Sequence, residues 1–219
     1  MPYKLNVFHL KGSDKPNPPA EETNHQSQQR SEVPAVGEPR AFQEYREEEV
    51  NKAVEWFTTY LNTQRDEYYP GAQPLSDEHR KVMGKYFEGQ LLDRVRVLEL
   101  VDHRVANPWF YPQAVESGLR HLPDIPHKAA VTFLDVVVFN EKMASRDLFH
   151  GLVHAAQVRV LGRSQFAEFF VRGFLQARSY FLVPLKAQAF ALDARFASNP
   201  DAPFSVEEQI REWRRQGRY

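Results

Sequence analysis

The sequence contains no cysteine. Disulfides and thiolate metal sites are therefore excluded, and any metal would have to be held by histidine, carboxylate or amide ligands. Nor is there an excess of one charge: 28 Lys and Arg against 29 Asp and Glu leave a formal net charge of −1. That balance draws the chain neither to nucleic acid nor to an anionic membrane. No apolar run approaches the roughly 20 residues of a membrane span. The opening "MPYKLNVFHLKGSDK" lacks the apolar core of a signal peptide. The expectation is a soluble, cytoplasmic protein with no membrane or nucleic-acid partner.

The 219 residues suit one domain with an extra arm, and 42% hydrophobic residues suffice for a core. The 15 prolines are unevenly spread. Residues 11–40, "KGSDKPNPPAEETNHQSQQRSEVPAVGEPR", are too polar to offset the entropy of ordering them. Residues 1–40 are therefore expected to form a disordered or draped arm, in which "YKLNVFHL" alternates like an edge strand. Residues 41–219 are expected to form a single domain.

Within that domain, Phe42, Tyr45, Val50, Val54, Phe57 and Leu61 recur at helical spacing over 41–68. Pro70, Gly71 and Pro74 break the pattern. Ser76 reads as an N-cap for a helix to about Phe87. "RVRVLELV" (94–101) reads as a strand. "NPWFYP" (107–112) reads as an aromatic loop, and "AVTFLDVVVFN" (130–140) as a strand bent near Leu134 and Asp135. Beyond Asn140 the pattern is helical. Ser145 is an expected N-cap for a helix ended by Gly162, and Ser164 for one to about Tyr180. Pro184 opens a third helix, and Ser205 with Glu208 makes a capping box for a last one. A small sheet followed by helices defines an α+β class.

The chemistry concentrates in "DLFHGLVHAAQVRVLG", residues 147–162. His150 and His154 lie one helical turn apart, so both imidazoles can reach one ion. Alone, such a pair is a weak signal, and core or surface hydrogen bonding explains it equally. Upstream stand "LSDEHRKVMGKYF…LLDRVRVLELVDHRVANPWFYP" and "TFLDVVVFN" at 132–140, and downstream "VPLKAQAFALDARF" at 183–196. In that order, over about residues 75–198, these blocks resemble a bacterial zincin-like metallopeptidase family. Its members read approximately "TFGDVVVF", "LLFHELVHVVQ…LG" and "NPLEREAYALEARF".

The resemblance implies a zincin-like fold and a metal held by His150 and His154. The family's third ligand, the second Glu of "PLEREAY", falls on Gln188, 34 residues after His154. Zinc is the first expectation for the ion, with iron or copper as alternatives. Gly151 falls where the family's general base stands. Glycine carries no proton, and a His, His, Gln set is neutral, so peptide hydrolysis by the family route is not expected.

Other candidates are Tyr180, whose phenol could steady an oxyanion, and Glu168, a carboxylate that could approach from the side. Burial and a solvated helix face explain those two equally well. Asp147 reads as a first-turn acid or an orienter of His150, and Asp193 as a solvated acid near a helix end. Trp109, Phe110 and Tyr111 wall a cleft or pack onto the strand. Two functions follow: a non-proteolytic metalloenzyme acting on a small molecule, or a pseudopeptidase kept as a binding module for a small molecule or peptide.

Overall fold

The bent strand "AVTFLDVVVFN" is a hairpin. In a computed structural model that describes residues 45–219 apart from 120, 178 and 179, Ala130–Phe133 (β3) and Val136–Phe139 (β4) pair antiparallel with Thr132 opposite Val137. Leu134 takes a positive φ of 59° in the turn. Arg65 fixes that turn through two hydrogen bonds to the Asp135 carboxylate, at 2.9 and 3.3 Å. Gln73–Pro74 (β1) and Arg96–Glu99 (β2) complete a four-stranded mixed sheet in the order β1-β2-β4-β3, with β2 parallel to β4. The expected N-terminal arm, its strand, and the first residues of the 41–68 helix lie outside the described residues.

β4 is buried on both faces, as an unbroken Val-Val-Val-Phe run requires. Val136 and Val138 pack with Tyr60, Leu61, Phe166 and Phe174. Those side chains come from Glu47–Tyr68 (α1) and Arg163–Ala177 (α6). Val137 and Phe139 face the opposite cluster, with Phe149, Leu152, Phe196 and Ile210. Ser145–Leu161 (α5), Pro184–Ser198 (α7) and Val206–Arg215 (α8) supply these. Two short helices, Asp77–Met83 (α2) and Gly89–Arg94 (α3), precede β2. No helix among the described residues is long and apolar enough to cross a membrane.

Several boundaries differ from the sequence reading for physical reasons. Ser76 does cap α2, its Oγ accepting from His79 N at 3.2 Å, but α2 stops at Gly84 so that Tyr86 and Phe87 can turn into the core. Ser205 caps α8 through Glu208 N at 3.2 Å, while the Glu208 carboxylate pairs with Arg211 and Arg215 instead of closing a box. Ser145 is the first residue of α5 and not its cap. Ser164 lies inside α6. The aromatic loop becomes Tyr111–Glu116 (α4), with Pro112 in its first turn. Trp109 and Phe110 pack on Trp56 of α1, with ring centroids 5.8 and 6.1 Å away.

Asn140, at the end of β4, ties three backbone segments together. Its Oδ1 accepts from Val105 N at 2.7 Å, and its Nδ2 donates to Ile125 O at 3.2 Å and Lys128 O at 2.9 Å. Removing this amide leaves buried backbone groups without partners, at about 1–3 kcal/mol each. Asn140→Ala is expected to lose roughly 2–4 kcal/mol in urea unfolding, allowing for partial rescue by water.

Candidate functional site

α5 and α7 lie against each other in opposite directions, and their facing sides are polar. On α5 the side is Arg146, His150, His154 and Gln157, at spacings of four, four and three. On α7 it is Lys186, Phe190 and Asp193, again one helical stripe. The contacts run in order along the seam. Arg146 grips the Asp193 carboxylate at 2.8 and 3.1 Å. His150 faces Asp193 and stacks near Phe190, with ring centroids 4.8 Å apart. His154 meets Lys186, and Gln157 meets the Leu185 carbonyl.

The centre of the seam is Lys186. Its Nζ lies 3.1 Å from His150 Nε2 and 2.9 Å from His154 Nε2. As an ammonium Lys186 has only hydrogens to offer, so both Nε2 atoms then accept. The surrounding bonds fix them so. Gln157 Nε2 donates to Leu185 O at 2.9 Å, which turns Gln157 Oε1 toward His154 Nδ1 at 2.8 Å. His154 therefore carries its proton on Nδ1 and presents a lone pair at Nε2. For His150, Asp193 Oδ2 lies 3.9 Å from Nδ1 and favours the same tautomer. Two imidazoles thus point their lone pairs at one spot, and an ammonium fills it.

Burial holds both histidines neutral, with the Lys186 charge adding to the effect. His150 falls to about 3, and His154 falls well below the ordinary range. Burial, and then the charge on Lys128, lower Lys186 to about 7. The two imidazole acceptors and the nearby ring faces of Tyr180 and Phe190, 4.9 and 5.4 Å from Nζ, favour its charged form. The neutral histidines have a consequence for acid stability. Below about pH 6.5 the unfolded chain protonates them and the folded chain does not. The histidine contribution is therefore complete above that pH and is lost as pH falls toward 3, by up to about 1.4 kcal/mol per pH unit for each histidine. Urea unfolding at pH 7 and pH 5 should show this loss, and His150→Gln with His154→Gln should flatten it.

The candidates from the sequence fall into two groups. His150, His154 and Tyr180 come together around Lys186. Gln188 is not among them: its Nε2 donates to Arg218 O at 3.0 Å, and its buried Oε1 has no partner. Glu168 is engaged by Arg172 at 3.0 Å on the far side of α6, in a pair that extends to Glu47. Asp193, read as a solvated acid, is 4% exposed and belongs to the site. The carboxylate beside His150 is thus Asp193 and not Asp147. Lys186 and Gln157 were missed. The one available signal was a lysine in an apolar first turn, between Leu185 and Ala187.

Gly151 has a structural explanation of its own. A Cβ there would lie 2.6 Å from Val137 Cγ1 and 3.3 Å from Thr132 Oγ1. Thr132 also donates to Gly151 O at 3.1 Å. This position faces the sheet, and glycine is what lets α5 sit on β3 and β4.

A divalent ion does not fit the residues as arranged. Held by both Nε2 atoms at about 2.0–2.1 Å, it would need the space that Lys186 Nζ fills, and it would meet a like charge. Among the described residues no three His, Asp or Glu are placed to hold a metal. Comparisons of the chain with protein-family models, curated proteins and solved structures give no match. The functional reading therefore rests on the geometry of the seam.

Proposed function

We propose that the chain is a metal-independent binding module built on a zincin-like scaffold, in which a lysine stands in for the catalytic cation. The carrying observation is the Lys186 Nζ contact with both imidazole Nε2 atoms, at 3.1 and 2.9 Å. Gln157 and Asp193 orient the two rings in the way that supporting groups orient metal-bound histidines. What they orient the rings toward here is an ammonium. The sequence blocks that resemble the metallopeptidase family support the scaffold, as does the α+β order of a small sheet before a helical half.

Peptide hydrolysis has no support in this arrangement. The glycine at 151 faces the sheet and has no side chain to take a proton from water. A metalloenzyme with His150, His154 and Gln188 around zinc, iron or copper has less support than the binding module. It would require Lys186 to withdraw and Gln188 to turn from the Arg218 carbonyl.

Metal analysis and thermal unfolding test the proposal together. The purified chain is expected to carry no stoichiometric zinc, iron or copper, and added metal should leave its melting temperature unchanged. One equivalent of bound metal, lost on substituting His150 and His154, would overturn it.

A further inference from the structure

On the metal-independent reading above, we infer that Lys186 and Lys128 form the head-group site for a small carboxylic acid with an apolar body, which lies on the strip formed by Phe181, Leu182 and Phe190. An ammonium has three N–H donors. Two of those on Lys186 go to the histidines. The third has no acceptor among the described residues, on an amine whose residue is only 7% exposed. A donor buried in that way normally finds a partner.

The second cation is close by. Lys128 Nζ lies 5.0 Å from the Tyr180 ring centre and 5.2 Å from that of Phe181, while Lys186 Nζ lies 4.9 Å from Tyr180. The two ammonium groups thus share one aromatic ring and sense each other's charge. Among the described residues neither forms an ion pair with a carboxylate. The nearest acid on the seam, Asp193, is taken by Arg146. Two like charges that sense each other without a counter-anion are unfavourable, and a bound anion relieves them.

The surroundings select the rest of the ligand. Phe181 and Leu182 are 59% and 67% exposed, and Phe190 is 37% exposed. Phe181 and Phe190 lie with ring centroids 5.9 Å apart. Large apolar side chains exposed together next to a pair of cations match a ligand with one negative end and an aromatic or aliphatic remainder. A lysine ammonium meets a carboxylate oxygen as a point donor.

The test uses 3-phenylpropionate as probe, titrated into the full chain by calorimetry and by NMR of the aromatic residues. Its primary amide and 3-phenylpropylamine serve as controls. The acid is expected to bind and to shift the Phe181 and Phe190 resonances, and the controls should bind at least tenfold more weakly. Lys128→Met changes a partly exposed residue outside the histidine contacts, so folding should survive, and acid affinity should fall tenfold or more. Phe181→Ser should weaken the acid by a similar factor. Equal binding of acid and amide, or unchanged affinity in Lys128→Met, would overturn the inference, as would no binding at millimolar acid. None of these outcomes touches the metal-independent reading, which fails only if the chain takes up stoichiometric metal. A peptide ending in phenylalanine that bound while free 3-phenylpropionate did not would likewise refute a small-acid site.

Discussion

Replacing Gly151 with glutamate, the residue a zinc peptidase carries at this position, is expected to unfold the chain and not to create an enzyme. The Cβ direction of residue 151 runs into Val137 Cγ1 at 2.6 Å, and Val137 is fully buried on β4. A β-branched side chain has little rotamer freedom with which to move away. Even alanine overpacks this contact, at about 1–3 kcal/mol, partly offset by the roughly 1 kcal/mol that alanine gains over glycine within a helix. Glutamate adds a longer chain and a charge between α5 and the sheet, where no basic partner waits. The expected loss exceeds about 4 kcal/mol, a large share of the stability of an ordinary domain. Circular dichroism and urea unfolding would register it. Val137→Ala should restore part of the loss in Gly151→Ala, because the two side chains compete for the same space. Additive effects of those two substitutions would show that the close approach of α5 and β4 is not what requires glycine.

The second large effect is a gain. Lys186→Glu is expected to turn a chain that does not respond to zinc into one that binds it at one equivalent. Two imidazoles already present their Nε2 lone pairs to a common point, with Gln157 fixing the tautomer of His154 and Asp193 favouring the same one for His150. The substitution removes the cation that fills the point and supplies the carboxylate that a His, His, Glu site needs. Glutamate is one atom shorter than lysine, which leaves room for an ion between its oxygen and the rings. Without metal the variant should be less stable than the parent, because a carboxylate replaces an ammonium facing two acceptors. At zinc near 100 times the dissociation constant, binding adds about 2.7 kcal/mol. For a chain of this length that corresponds to a rise of roughly 5–10 °C in melting temperature. Lys186→Met, which clears the cation without adding a ligand, should respond to zinc much less. A zinc response of Lys186→Glu no larger than that of Lys186→Met would mean the two rings are not aimed as described.

These two positions also show where sequence was sufficient and where it was not. The strand character of 130–140 and its bend at Leu134 and Asp135 were legible from the β-branched run, though not its division into two paired strands, and α5 was legible because its apolar rhythm ends at Gly162. The histidine pair stood out through its spacing together with the sequence blocks around it, since the spacing alone is a weak signal. The residue opposite it was not. Positions 186 and 188 differ by about 200° around a helix, so only one of them can face α5. Which one does so depends on how α7 is rotated, and that follows from burying Leu185, Ala189, Leu192 and Phe196 together. Once Lys186 faces inward, Asp193 follows, because seven residues bring a helix back to within about 20° of the same side. Reading the stripe from Gln188 instead put Asp193 in solvent. Gly151 was legible in part: sequence shows that a base is missing, but only the distance to Val137 shows what its absence permits. α4 was hidden by Pro112, which suits a first helical turn as well as a loop.

The Lys186 bridge is tested most directly by nitrogen-15 NMR of the histidine side chains in the native chain and in Lys186→Met. The expected spectrum shows His150 and His154 neutral from pH 7 to pH 5, each protonated on Nδ1 and bare on Nε2, with both Nε2 resonances displaced when Lys186 becomes methionine. A proton on Nε2 of either ring, or ordinary titration of both near pH 6.5, would contradict a lysine held between them.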